Sequence, residues 1–407
     1  MLQRSLAKAI KQIDATFPVL LLTGPRQVGK TTLLEMCADK SRHYVTLDDI
    51  QQRELARQDP ALFLQSHKWP LTIDEVQYAP ELFSAIKIIV DREKKNGMFW
   101  LTGSQKFHLM KGITESLAGR VAVVDLLGLS QVELDDRTEI AQPFLPTEGW
   151  IEKTACGIKA PKSPSALYKQ IWRGSFPRLN QQPDMSWDLF YRSYVQTYVQ
   201  RDVRDILNIS DSLAFHRFLG VIAARTAQLL NYSDVARDVD IDHKTAKQWL
   251  SVLETSGLVY LLHPYHTNIS KRLIKTPKVY FLDTGLCSFL TLWASPAALE
   301  AGALSGAILE TYMVSEILKS YWHHGKMANF SFYRDTDQRE VDLLIEVDDT
   351  LYPVEFKKSA SPAKSASKNF HVLNRLNRTI GHGGVVCFVE SPVPLSREVT
   401  AIPVGYL

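Results

Sequence analysis

One short run constrains this chain more than any other. Gly24, Pro25, Arg26, Gln27, Val28, Gly29, Lys30, Thr31 and Thr32 contain the spacing G-x-x-x-x-G-K-T, between an apolar stretch at 18–22 and a helical one at 31–38. The glycines let the backbone curl so that its N–H groups face a phosphate, and the N-terminus of the following helix adds a favourable dipole. Such a loop carries meaning only between a strand and a helix, which is where this one lies. Further apolar runs at 43–47, 70–74, 98–102 and 121–125 alternate with helical segments. Continuous apolar strands separated by helices predict a parallel sheet covered on both faces.

The chemistry expected at the loop follows from residue type. Lys30 would reach the β- and γ-phosphates of ATP and Thr31 would ligate Mg²⁺. The strand at 71–74 ends in Asp74 and Glu75. Asp74 is expected to hold the Mg²⁺ ion, and Glu75 to polarise the attacking water as a general base. Together these predict an ATP hydrolase with ATP and Mg²⁺ as cofactors. At the end of the fourth strand Ser104, with Gln105 second, is the expected γ-phosphate sensor. Arg120, just before the fifth strand, reads as an arginine finger on a neighbouring subunit, as a sensor within its own, or as a surface arginine. Arg26 is left between contacting phosphate and contacting a neighbour.

The loop, Ile73-Asp-Glu-Val-Gln, Leu101-Thr-Gly-Ser, Ser116-Leu-Ala-Gly-Arg, Gly174-Ser-Phe-Pro and the stretch from Tyr194 to Arg201 and Asp202 resemble prokaryotic AAA-type P-loop ATP-binding proteins. In that group the ATPase domain precedes a C-terminal domain of unknown function. The resemblance covers nearly the whole chain. It implies an AAA-like fold and leaves the substrate open.

The expected fold class is α/β and multidomain: an AAA-like P-loop ATPase at 1–130, a linker and helical region at 131–210, a winged helix at 211–265, and a restriction-endonuclease-like α/β domain at 266–407. The stretch 135–164, richer in Pro, Gly and polar residues, reads as a linker or flexible excursion. Within 230–250, Ser233 is the expected cap of a first helix and Asp242 of a second, with Ala246, Trp249, Leu250 and Leu253 facing the core. His243, Lys244, Lys247 and Gln248 would then be exposed for reading DNA. Neighbouring aspartates offset the basic residues, so the module lacks a basic footprint; protein or inter-domain contact is the rival role.

The last region orders as helix, three strands, helix, strand. Asp342 and Glu355-x-Lys357 resemble the PD-(D/E)XK nuclease pattern, and Glu310 stands on the preceding helix. Glu310, Asp342 and Glu355 are the expected Mg²⁺ ligands, with Lys357 orienting the nucleophile or neutralising charge. Glu340 and Lys358 are neighbours with no assigned role. A half-exposed charged hairpin would place the same carboxylates.

Composition bounds the remaining classes. The 47 basic and 44 acidic residues nearly balance, so any basic surface for nucleic acid must be local. The four scattered cysteines, Cys37, Cys156, Cys287 and Cys387, suggest reduced thiols and a cytoplasmic protein. No apolar run approaches the roughly 20 residues that span a bilayer. The partners expected are ATP, DNA or a protein partner, and further copies of the chain.

Overall fold

The structure is a computed structural model and describes residues 2–104, 109, 112–113, 115–158, 161–199, 212–266 and 276–407. Gln105 and the motif residues Arg201 and Asp202 lie outside them. The first unit runs α1 (Leu6–Thr16), β1 (Val19–Thr23), α2 (Lys30–Cys37), β2 (His43–Thr46), α3 (Ile50–Gln58), α4 (Pro60–Ser66), β3 (Leu71–Asp74), α5 (Leu82–Glu93), β4 (Phe99–Gly103) and β5 (Val121–Asp125). The five strands are parallel in the order β2-β3-β4-β1-β5, so β4 lies between the strand that leads into the loop and the strand that ends in Asp74.

Side chains alternate between the two faces, as a strand period of two requires. Val19 and Leu21 join one core with Leu71, Ile73, Phe99 and the inner faces of α3 to α5. Leu20, Leu22 and Trp100 join a second core, shared with α1, α2 and the downstream units.

The chain continues through α6 (Gln131–Leu134), α7 (Glu148–Ala155), α8 (Pro164–Arg173), α9 (Pro177–Gln181) and α10 (Trp187–Tyr194). Within the stretch expected as a linker at 135–164, the part at 144–151 is packed instead. Phe144, Trp150 and Ile151 are buried, and the Phe144 backbone bonds to the side chains of Ser320 and Tyr321. Three bulky apolar side chains outweigh the local Pro and Gly content.

The middle unit orders as α11 (Ser212–Ala224), β6 (Gln228–Leu229), α12 (Tyr232–Val239), α13 (His243–Thr255), β7 (Val259–Leu262) and β8 (Lys278–Phe281). Its strands form a small antiparallel sheet, β6-β8-β7. Asn231, not Ser233, caps α12, accepting from the N–H groups of Ser233 and Asp234. Asp242 caps α13 as expected. Asn and Asp reach these groups from the Ncap position, whereas Ser233 already lies inside the first turn.

Then come α14 (Thr284–Leu290), α15 (Pro296–Ala301), α16 (Ser305–Trp322), β9 (Phe330–Arg334), β10 (Glu340–Val347), β11 (Thr350–Phe356), β12 (Thr379–Ile380), β13 (Gly383–Cys387), β14 (Val393–Pro394) and β15 (Val399–Pro403). These strands build a mixed sheet, β14-β15-β13-β11-β10-β9, with β12 beside β11. One face packs on α16 through Leu343, Ile345, Val354 and Phe356, and the other covers Phe370, Val372 and Leu373. The single strand expected after the last helix is β13, and β15 follows it in the chain and pairs parallel to it. Among the described residues no helix is long and apolar enough to cross a membrane.

Candidate functional site

The phosphate-type loop sits at the C-terminal edge of the parallel sheet, between β1 and α2. Gly24 has φ +142°, and a Cβ there would lie 2.1 Å from the Leu126 carbonyl oxygen, so only glycine fits beside the chain leaving β5. Gly29 adopts φ +89° immediately before α2. Lys30 is buried and its ammonium donates to the carbonyls of Gly24 (3.0 Å) and Pro25 (2.9 Å). From below, Arg4 donates to the Val28 carbonyl at 2.9 Å and to Leu127 at 2.8 Å. From the side, the turn after α13 touches Pro25, whose Cδ would be 3.0 Å from a Cβ on Gly257.

Asp74 ends β3 level with the loop, buried and held by three hydroxyls. Thr31 Oγ1 donates at 3.1 Å, Tyr44 at 2.9 Å, and Thr102 also donates to it. Burial, and then the Asp74 charge, push the Tyr44 phenol well above its ordinary range, so it stays protonated as a donor. Glu75 follows in the left-handed region at φ 54°, its N–H bonded to Thr102 Oγ1 (3.2 Å) and its carboxylate taking a bond from Gln77.

Thr23 pairs with Gly103 across β1 and β4, which puts Ser104 beside the start of the loop. Ser104 is buried, and its hydroxyl has no hydrogen-bond partner among the described residues. Lys30, Thr31, Asp74, Glu75 and Ser104 are therefore brought to one edge. Tyr44 and Thr102 belong there too and were missed; a tyrosine or threonine on a sheet strand carries no sequence signal of its own.

Arg120 is not at this edge. It precedes Val121, which pairs with Val19 at the opposite end of β1, about 15 Å along the strand from the loop. Its guanidinium engages Asp91 through Nε (2.5 Å) and Nη2 (2.9 Å). The role of a sensor within its own subunit is thus excluded by the strand direction. A cavity of about 410 Å³ opens beside Gln27, walled by Arg178, Met185, Leu189, Phe190 and Tyr194. The Gln27 amide oxygen is buried without a partner among the described residues.

A buried polar network links this edge to the C-terminal unit. Glu133 accepts from the N–H groups of Ser5 (2.8 Å) and Ser130 (2.9 Å), lies 3.1 Å from Arg4 Nε, and lies 3.3 Å from His323 Nδ1. Burial alone would raise the Glu133 pKa, but the charge of Arg4 and its other partners hold it far below the carboxylate range. Burial depresses His323, so its ring is neutral near pH 7 and Arg4 is the counter-charge. On the same helix, Glu316 takes the Gln131 N–H at 2.6 Å and Lys319 donates to the Leu129 carbonyl at 3.0 Å.

A second polar site lies on the C-terminal sheet. Glu310 and Asp342 do converge, together with Glu340, but around an ammonium that sequence reading overlooked, while Glu355 beside them pairs with Lys357. Lys278, on β8, lies 2.6 Å from Glu340, 3.3 Å from Glu310 and 3.9 Å from Asp342. Tyr280 donates to Glu310 at 2.7 Å, the Phe356 N–H to Asp342 at 3.0 Å, and Lys357 to Glu355 at 2.6 Å. Burial raises the pKa of all three acids, that of Glu310 to about 7 and that of Glu355 to about 8. Among the described residues no group of three or more His, Cys, Asp or Glu is placed to hold a metal ion, against the expected Glu310, Asp342 and Glu355 set. Lys358 bonds to the Glu300 carbonyl and to Ser305 instead of joining the cluster.

Residues 16–134 match the family described as "AAA domain". The matched residues contain the loop after β1 and the β2-β3-β4-β1-β5 sheet, so this part of the chain is similar to AAA-type P-loop domains. Residues 165–297 and 305–407 match two families described as domains of unknown function, DUF8612 and DUF4143. The chain is 28% identical over 408 residues to uncharacterized protein Rv2008c of Mycobacterium tuberculosis, and equally to uncharacterized protein Mb2031c of Mycobacterium bovis. Each alignment covers 98% of this chain and 83% of the relative. Among solved structures, the Walker-type ATPase PABY2304 of Pyrococcus abyssi is similar at 14% identity and TM-score 0.45, over 70% of this chain and 94% of that one. The RuvB Holliday junction branch migration motor of Thermotoga maritima is similar at 16% identity and TM-score 0.32, over 64% of this chain and 89% of that one.

Proposed function

We propose that the chain binds Mg²⁺-ATP at the 24–32 loop and hydrolyses it, using the state of the nucleotide to act on a macromolecular partner. The observation that carries this is the bond from Thr31, at the start of α2, to Asp74, at the end of β3, with Glu75 next in the chain. Thr31 and Asp74 are the oxygen donors that would hold Mg²⁺, directly or through water, and the buried Ser104 hydroxyl, without a partner among the described residues, suits a γ-phosphate oxygen. When bound, the ion neutralises charge on the phosphate oxygens. Lys30 exchanges its two loop carbonyls for phosphate, and Glu75 takes the proton of the attacking water. The cavity beside Gln27 supplies room for base and ribose. Equilibrium binding of a fluorescent ATP analogue tests this. Lys30→Ala is expected to lose binding, and unchanged affinity would refute the assignment.

The partner in the leading reading is DNA. The order α11, β6, α12, α13, β7, β8 suits a winged helix, and His243, Lys244, Lys247 and Gln248 on α13 are exposed. Lys244→Ala with Lys247→Ala should weaken duplex binding at low salt; no binding by the intact chain would sink the DNA reading. The second reading is an ATP-dependent switch that grips a protein, with the C-terminal sheet catalytically silent. It is favoured by the ammonium among the carboxylates of that sheet. In either reading Arg120 is left as a finger for the site of a neighbouring copy or as a surface arginine, and particle mass with and without ATP tells the two apart.

A further inference from the structure

The strand β2 lies at the edge of the parallel sheet, beside β3. Tyr44 stands opposite Thr72 and Thr46 opposite Asp74 in their parallel register. With a strand period of two, Tyr44 projects to the same face as Thr46. Its side chain runs along the sheet, and its hydroxyl donates to Asp74 Oδ2 at 2.9 Å. Tyr44 is 46% exposed, whereas Asp74 is buried. The core therefore gains little from this tyrosine, and its oxygen still turns inward to a carboxylate.

The Asp74 carboxylate is held at both ends. Thr102, on β4, donates to Oδ1 and Tyr44 to Oδ2, while Thr31 Oγ1 stands 3.1 Å from each oxygen. All three are neutral donors, so they fix the carboxylate in place and leave its negative charge available to a cation. Thr31 and Thr102 come from the loop helix and from the interior of the sheet. Tyr44 is the holder supplied from the open edge.

We propose that Tyr44 is a positioning residue for Asp74, and that its hydroxyl sets how strongly Mg²⁺ reinforces nucleotide binding. The inference rests on the reading of the 24–32 loop and Asp74 as a Mg²⁺-ATP site. Hydrogen-bond partners behind a carboxylate fix the orientation in which it meets an ion, and losing one costs about 10–100-fold in metal affinity. Removing the phenol hydroxyl leaves Asp74 Oδ2 without its edge donor. The ring and the β2 pairing stay, because phenylalanine suits a strand as well as tyrosine does.

The affinity of the full chain for a fluorescent ATP analogue, measured in Mg²⁺ and in EDTA, tests this. In the wild type Mg²⁺ should tighten binding. In Tyr44→Phe that tightening should shrink about tenfold or disappear, while the affinity in EDTA stays within about twofold of the wild type. General damage to the fold weakens binding in both conditions, so the split between them marks a positioning role. A Tyr44→Phe protein with the wild-type Mg²⁺ effect, or with equal losses in Mg²⁺ and EDTA, would overturn the proposal without touching the ATP reading. A wild type that binds equally in Mg²⁺ and EDTA would overturn the metal assignment of Thr31 and Asp74 and this proposal with it. A wild type that binds in neither condition would overturn the ATP reading as well.

Discussion

Replacing Glu133 with alanine removes the centre of the network under the loop. Its side chain is fully buried and serves Arg4, itself 5% exposed, and the N–H groups of Ser5 and Ser130. Removing one member of a buried ion pair costs about 3–5 kcal/mol, because the other charge stays behind. Each orphaned N–H adds about 1–3 kcal/mol. The total is at least about 5 kcal/mol, comparable with the whole stability of many domains. Glu133→Gln keeps shape and one acceptor oxygen, and should cost about 3 kcal/mol. Replacing Arg4 and Glu133 together by methionine should cost less than the sum of the single losses, since no charge is stranded.

Urea unfolding followed by fluorescence reads all of these. Since the folded-state pKa of Glu133 is depressed, its contribution is fully present above the ordinary range of about 4.3 and is lost as pH falls below that range. The Glu133→Gln variant should therefore show a flatter acid limb than the wild type. A Glu133→Ala protein within about 1 kcal/mol of wild type would refute the reasoning.

Three further outcomes follow. Gly24→Ala pushes a Cβ to 2.1 Å from the Leu126 carbonyl oxygen, which is backbone and cannot rotate away; nucleotide affinity should fall at least tenfold by calorimetry, with stability lowered by about 1–3 kcal/mol. Glu310 and Glu355 have raised folded pKa values, so the folded state keeps protons that the unfolded chain releases. Stability of the C-terminal sheet should fall as pH rises from about 4.5 to 8, and Glu355→Gln should flatten that slope in thermal melts. Asp283 accepts from Ser175 N–H (2.6 Å), Ser175 Oγ (2.7 Å), Tyr191 (2.8 Å) and Leu286 N–H (2.7 Å), so Asp283→Ala should cost about 3 kcal/mol or more in the same melts.

What local pattern controls was legible in the sequence. The apolar runs at 18–22, 43–47, 70–74, 98–102 and 121–125 became the five parallel strands, because a buried strand is written in consecutive residues. The helix expected to carry Glu310 is α16, Ser305–Trp322. Lys30, Thr31 and Asp74 were legible because the motif spacing and a strand end mark them.

Partners chosen across long sequence separations were not legible. Tyr44 meets Asp74 thirty residues on, Arg4 meets Glu133 from the far end of the domain, and Lys278 meets Glu340 from another unit. One signal for Lys278 existed: a lysine opening the buried run Val279, Tyr280 and Phe281 must find a negative partner. Arg120 was left open by the sequence, between its own subunit and a neighbour, for a different reason. Its distance in sequence from the fifth strand said nothing about which end of the sheet the loop occupies.

The claim that the N-terminal unit is an ATPase rests on Glu75 beside Asp74. Steady-state phosphate release with Mg²⁺-ATP, measured on the wild type and Glu75→Gln alongside ATP binding, tests it most directly. The expected result is Mg²⁺-dependent turnover that drops on the order of 100-fold in Glu75→Gln while ATP binding is retained. Equal turnover by the two proteins, or no turnover by a wild type that binds ATP, would contradict it.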